Sequence, residues 1–309
     1  MRAALRLLPP SSGIRITRRA RDRLWDITEM PDKSRLQLLL YADDLALISH
    51  DMTVLGDMIE LTRQCLEIFG LNINTGKTEL LAVINGKGAK ERKNEFVQYA
   101  KDVHGFSYPI VNDEKAFKYL GQHLTHRGDD KYEVETRISK ARVVFNQLKS
   151  RCFRNRYVSR SLKSRVFKAM VLSVLLYGAE TWVPSRTDVA KLDRFLSKCM
   201  RTMHEVRPDE HIRTSALREI YKISNASALL RSRRLGFLRR LSARRASTSA
   251  EFLIFHGTVD EGAPSAYRNL IVSDVNKVCE VTTASPDPDS FPARIRHVRR
   301  TLLKQKRTT

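Results

Sequence analysis

Cysteine is scarce in this 309-residue chain, and the four present (Cys65, Cys152, Cys199, Cys279) form no Cys-x-x-Cys pair. That spacing excludes a dense secreted disulfide framework and fits a reducing compartment, nucleus or cytoplasm. Long apolar runs are missing too. The longest, Ala169 to Ala179, carries Ser173, Tyr177 and Gly178. It is far short of the roughly 20 residues a membrane helix needs, so no stable membrane association is expected. Acidic residues are also in short supply: 34 Asp and Glu face 56 Lys and Arg, a net charge of +22. This excludes an ordinary metabolic enzyme as the default reading and calls for a polyanionic partner, nucleic acid before membrane.

Hydrophobic residues make up 42% of the chain, enough for a packed core. The charge is unevenly placed. Residues 1–150 hold 24 cations and 20 acids, or +4, and residues 151–309 hold 32 and 14, or +18. The polyanion should meet the second half. Residues 1–21 carry six arginines and no acid, which loosely resembles a mitochondrial presequence. Pro9-Pro10 would break an amphipathic helix there, so a solvated lead-in is the better reading.

Residues 1–34 read as basic and irregular. Two apolar runs follow, Leu36–Tyr41 and Leu45–Ile48, with Ala42-Asp43-Asp44 between them as a hairpin tip. Residues 52–69 show helical spacing, with Thr53 as a cap and Gly70 as the end. Glu79–Ile84 reads as a strand, Asn85–Lys93 as a loop, and short strands are expected around Tyr108 and Phe117–Leu120.

From about 132 the texture becomes helical. Three stripes are predicted as core: Val134/Ile138/Ala141/Phe145/Leu148, Leu162/Val166/Met170/Val174/Tyr177 and Val189/Leu192/Leu196/Cys199/Met203. The opposite faces put Arg137, Lys140, Lys163, Lys168, Lys191, Arg194, Lys198 and Arg201 on a basic surface. Residues 257–291 read as a looser segment, and Arg294–Arg307 as a basic helix or tail.

Asp43-Asp44 is the sharpest chemical feature. Two adjacent carboxylates repel, and a divalent cation relieves that repulsion. For an isolated Asp pair a plain solvated turn is the better explanation. Cys199, His204 and His211 have looser spacing than a zinc site uses, and Cys199 sits on an apolar stripe, so they read as structural.

The flanks of the pair are more specific. Leu39-Leu40-Tyr41-Ala42-Asp43-Asp44-Leu45 resembles the Tyr-x-Asp-Asp motif of reverse transcriptases. Gly70-Leu71-Asn72-Ile73-Asn74 with Lys77-Thr78 resembles the segment that follows it, and Phe117-Lys118-Tyr119-Leu120-Gly121 the strand that supports the primer end. With Leu175–Trp182 and Arg234–Leu238, residues 36–245 resemble the LINE-type non-LTR retrotransposon group. The resemblance implies an RNA-directed DNA polymerase using two Mg²⁺ ions. Asp43 and Asp44 would be the metal-binding acids, and Lys77 a proton donor to pyrophosphate. Tyr41, Ala42, Phe117, Tyr119, Leu120 and Gly121 would lie near the primer and nucleotide.

The implied partners are RNA and DNA as a template–primer duplex, with dNTP only if the upstream palm half is supplied. Residues 1–40 show no match to that half, so the expectation is a fragment that is inactive alone. The alternative is a basic nucleic-acid-binding module without chemistry. The fold expected is α+β: a lead-in (1–34), a partial palm (35–125), a helical thumb-like region (126–250) and a helical tail (251–309).

Overall fold

The structure, a computed structural model, describes residues 13–18, 33–84, 86–105, 107–111, 116–125, 127–207, 209–241, 257–259 and 266–281. The fold is α+β. It divides into two compact units, Met1–Gly128 with Ser242–Thr309, and Asp129–Leu241.

In the first unit the strands β1 (Ile14–Arg18) and β2 (Lys33–Leu36) pair antiparallel, and β1 also pairs with Gly257–Val259. A strand inside residues 1–34 corrects the irregular reading. Ile14-Arg15-Ile16-Thr17 alternates β-branched and polar residues, which suits a strand once a partner is present. One partner, β2, is near in sequence, and the other, Gly257–Val259, lies far along the chain. The tail at Arg294–Arg307 falls outside the described residues.

The hairpin forms as expected from β3 (Leu38–Tyr41) and β4 (Asp44–Leu47), paired Leu38↔Leu47, Leu39↔Ala46, Leu40↔Leu45 and Tyr41↔Asp44. Its base is anchored where Leu47 packs on a core of Ile59, Leu80, Phe96, Ala100, Val103 and Tyr108. Helix α1 (Met52–Ile68) is capped by Asp51, not Thr53: the Asp51 carboxylate accepts from Val54 N at 2.9 Å. Gly70 leaves the helix at φ +70, as a left-handed terminator must.

Three local expectations fail. Glu79–Ile84 makes a single parallel bridge, Leu80↔Ile110, rather than a strand. Neighbouring Pro109 has no N–H to extend a ladder. Tyr108 lies buried outside any strand. Asn85–Lys93 is not all loop, because helix α2 (Ala89–Tyr99) begins within it. Ala89-Lys90-Glu91-Arg92-Lys93 are strong helix formers, and buried Phe96 fixes them to the core. Strands β5 (Phe117–Tyr119) and β6 (Gln122–Leu124) then close on Leu120-Gly121. Both turn residues have positive φ, +48 and +80, matching the twist that two-residue hairpins need.

The second unit is helical: α3 (Lys131–Leu148), α4 (Arg160–Val166), α5 (Ser173–Leu175), α6 (Arg186–His204), α7 (Thr214–Tyr221) and α8 (Ala226–Leu241). Two π-helical segments, Lys149–Phe153 and Phe167–Leu172, interrupt the regular pitch. The first and third predicted stripes enter the core. The second enters only in part: Val166 and Val174 pack against the core, Leu162, Met170 and Tyr177 are about half exposed, and Phe167, Val171, Leu172 and Leu175 are buried instead. The wider π turn rotates the buried face away from the 3.6-residue register. Phe145, Phe153 and Phe167 form its aromatic centre, with centroids 4.7 to 6.2 Å apart. Within the segment read as looser, Ala266–Val281 forms helix α9, with Ile271 and Val275 buried.

Gly56 sits where α1 meets the end of α2. A Cβ there would strike the Tyr99 hydroxyl and lie 3.2 Å from His104 Nε2. Gly56→Ala should therefore lower stability by about 1–3 kcal/mol in urea denaturation, despite alanine's better helix propensity.

Candidate metal-binding hairpin and basic cleft

A two-residue tip is the tightest way to join β3 to β4, and it turns on Ala42 at φ +53. A β-carbon in that left-handed region costs roughly 1–2 kcal/mol, a local strain of the kind found at functional turns. The turn holds Asp43 at the tip and Asp44 at the start of β4, both exposed. Tyr41 is 65% exposed beside them, and Leu39 and Leu40 also face solvent. Apolar surface is therefore bare on β3, while Leu45–Ile48 are half-buried.

The β5–β6 hairpin comes close to this tip. Burial, and after it the negative charge of Asp44, raises the Tyr119 hydroxyl above its ordinary value. Phe117 and Tyr119, two residues apart on one face, stack at 6.2 Å. Tyr41, Asp44 and Tyr119 are thus grouped by the fold. Lys77 stands on a turn in which its own N–H donates to Asn74 O at 3.0 Å. Its side chain is exposed and makes no ion pair with Asp43 or Asp44.

Among the described residues, no group of three or more His, Cys, Asp or Glu is placed to hold a metal ion. Cys199 is core, as its stripe predicted, and burial pushes its thiol up to about 12. Trp182 is also core rather than a surface stacking platform.

The eight basic residues singled out by sequence separate into four groups. Arg137 and Lys163 are buried, which corrects their placement on the surface. Arg137 pairs with Glu133 at 2.5 Å and lies 4.3 Å from the Tyr177 ring centre. Lys163 Nζ donates to Met203 O at 3.2 Å, where the ending helix leaves carbonyls unpaired. Lys191 is tied to Glu135 and Asp188 at 2.7 and 3.1 Å. Burial would raise the Asp188 carboxyl, but the Ser185 hydroxyl and Lys191 outweigh it and hold it below its usual value. Lys140 and Lys168 are solitary exposed cations.

Arg194, Lys198 and Arg201 are brought together in one cleft of about 760 Å³. Lys149, Arg154 and Arg207 complete its cationic lining, opposed by Asp193 and Glu205. Asp193 is already engaged by Arg218 and the Ala226 N–H at 2.9 and 3.0 Å. Arg201 donates to Ile212 O at 2.8 Å. Lys149, Arg154 and Lys198 pair with no acid among the described residues. These three, on an irregular π turn and one helix, are the phosphate-ready charges. The dense run Lys149–Arg156 was the sequence signal for the two that stripe analysis passed over.

No family model matches the chain, and no solved structure matches it. A Caenorhabditis elegans protein described as uncharacterized and transposon-derived is 29% identical over 147 residues, 47% of this chain. The matched part is 48% of that protein, so the chain spans about half its length. The likeness is consistent with a transposable-element origin. Among the described residues, no helix is long and apolar enough to cross a membrane.

The buried Glu133–Arg137 pair sets a test of the helical unit. Glu133→Ala leaves a guanidinium inside without its carboxylate, and should cost about 3–5 kcal/mol in urea denaturation. Removing exposed Lys140 should cost less than about 0.5 kcal/mol.

Proposed function

We propose that the chain carries part of the palm and the thumb of an RNA-directed DNA polymerase of the non-LTR retrotransposon type. The observation that carries this is the two-residue hairpin turn that presents Asp43 and Asp44 to solvent beside Tyr41 and within electrostatic reach of Tyr119. The transposon-derived relative supports the origin. Two hard carboxylates fit Mg²⁺, which takes one or two of them and completes its octahedron with water and substrate phosphates. When bound, the ion neutralises charge on phosphoryl oxygens. Asp43 and Asp44 hold and orient it, Tyr41 offers an exposed ring for the primer end, and Lys77 is the candidate proton donor to pyrophosphate. The cleft cations grip the template–primer backbone without reading sequence.

A second reading, a nucleic-acid-binding module without chemistry, is favoured by the lack of a third acidic ligand among the described residues. The two readings diverge in a duplex-binding titration with and without Mg²⁺. The polymerase reading expects wild-type affinity for an RNA–DNA hybrid to rise with Mg²⁺, and Asp43→Asn with Asp44→Asn to abolish that rise. In EDTA the double variant should bind within about twofold of wild type, because the cleft cations are untouched. An identical Mg²⁺ response in the variant would leave only the second reading. Primer extension by this chain alone should give no template-dependent product.

A further inference from the structure

We propose that the turn spanning Arg151–Arg160 and the cleft it borders form a binding site for single-stranded nucleic acid, with Tyr157 stacking on an unpaired base. The inference rests on the nucleic-acid reading above and names the strand state that this part of the chain takes.

Tyr157 is 84% exposed, the most exposed large apolar side chain among the described residues. No motif or stripe accounts for it. Its backbone is fixed: Tyr157 N donates to Asn155 Oδ1 at 2.9 Å, Val158 N to Asn155 O at 3.2 Å, and Arg154 N to Lys149 O at 2.8 Å. Ser159 then caps the next helix by accepting from Leu162 N at 3.3 Å. The ring is oriented as well. The Arg156 guanidinium lies 5.0 Å from its centre and donates to its hydroxyl at 3.0 Å. Arg156 and Tyr157 thus present an aromatic ring with a guanidinium over one face, on a braced turn. That is the chemistry on which unpaired bases stack.

The same turn supplies the phosphate contacts. Arg154 and Lys149 line the cleft together with Lys198 and Arg207. Tyr157 follows Arg154 by three residues, so their Cα atoms are at most about 11 Å apart. A strand whose base rests on Tyr157 can therefore place a neighbouring phosphate at Arg154. The interior of a duplex cannot use the ring, because its base faces are already stacked on one another. The platform offers no fixed array of hydrogen-bond donors and acceptors to a base edge, so the site should accept any sequence.

Fluorescence anisotropy on the full chain tests this, using a labelled oligo-dT single strand and a blunt RNA–DNA hybrid of equal length. Tyr157→Ala should weaken single-strand binding by about five- to a hundredfold and change hybrid binding by less than about twofold. Tyr157→Phe should retain the single-strand affinity. Arg154→Glu with Lys198→Glu should weaken both ligands and flatten the salt dependence. Equal loss on both ligands by Tyr157→Ala, or no loss on either, would overturn the proposal. Wild-type chain that binds the hybrid but not the single strand would sink this proposal alone. Binding of neither would remove the nucleic-acid reading beneath it.

Discussion

Mutual repulsion among cations is the constraint that organises the helical unit. Asp129–Leu241 holds 26 Lys and Arg against 11 Asp and Glu, a net of +15. Such a unit holds together only if apolar packing outweighs the repulsion and every inward cation is matched. Phe145, Phe153, Phe167 and Trp182 belong to one continuous core. Three cations are buried in the unit: Arg137 finds Glu133, Lys163 finds the Met203 carbonyl, and Arg234 is the third. Glu135 and Asp188 are committed to Lys191, and Asp193 to Arg218. Lys149, Arg154 and Lys198 pair with no acid among the described residues and leave an excess of positive charge at the cleft.

The hairpin carries the opposite imbalance. Asp43 and Asp44 project from a strained turn with no ion pair to a lysine or arginine, in a chain rich in both. A fold selected only for stability would place one of its many cations beside them. On the proposed reading a small hard cation would bind at these bare carboxylates, and phosphate at the cleft cations.

Much of this was legible in the sequence, and the failures share a cause. The β3–β4 hairpin could be read because two apolar runs bracket a polar dipeptide, a local pattern. The stripes of α3 and α6 could be read because both helices keep regular pitch. The stripe through Leu162, Met170 and Tyr177 misled because a π turn at Phe167–Leu172 changes the periodicity that stripe analysis assumes. Arg137 and Lys163 were read as surface because charge usually is. Lys163 is buried through a carbonyl 40 residues away, and no local pattern announces such a partner. Strand β1 pairs both with nearby β2 and with remote Gly257–Val259, and the second pairing leaves no local pattern. At the candidate site the chemistry-bearing residues were visible as types, but the company they keep was not. The proximity of Asp44 to Tyr119, and of Arg154 to Arg194, is tertiary.

The central claim is that Asp43 and Asp44 form a metal-binding pair completed by phosphate oxygens. Electron paramagnetic resonance of Mn²⁺ tests it most directly, because bound Mn²⁺ loses the sharp six-line signal of the free ion. With the wild-type chain and a nucleoside triphosphate, the free signal should fall beyond the loss caused by the nucleotide alone. With Asp43→Asn and Asp44→Asn, that additional loss should vanish. An additional loss of the same size in the double variant would contradict the account.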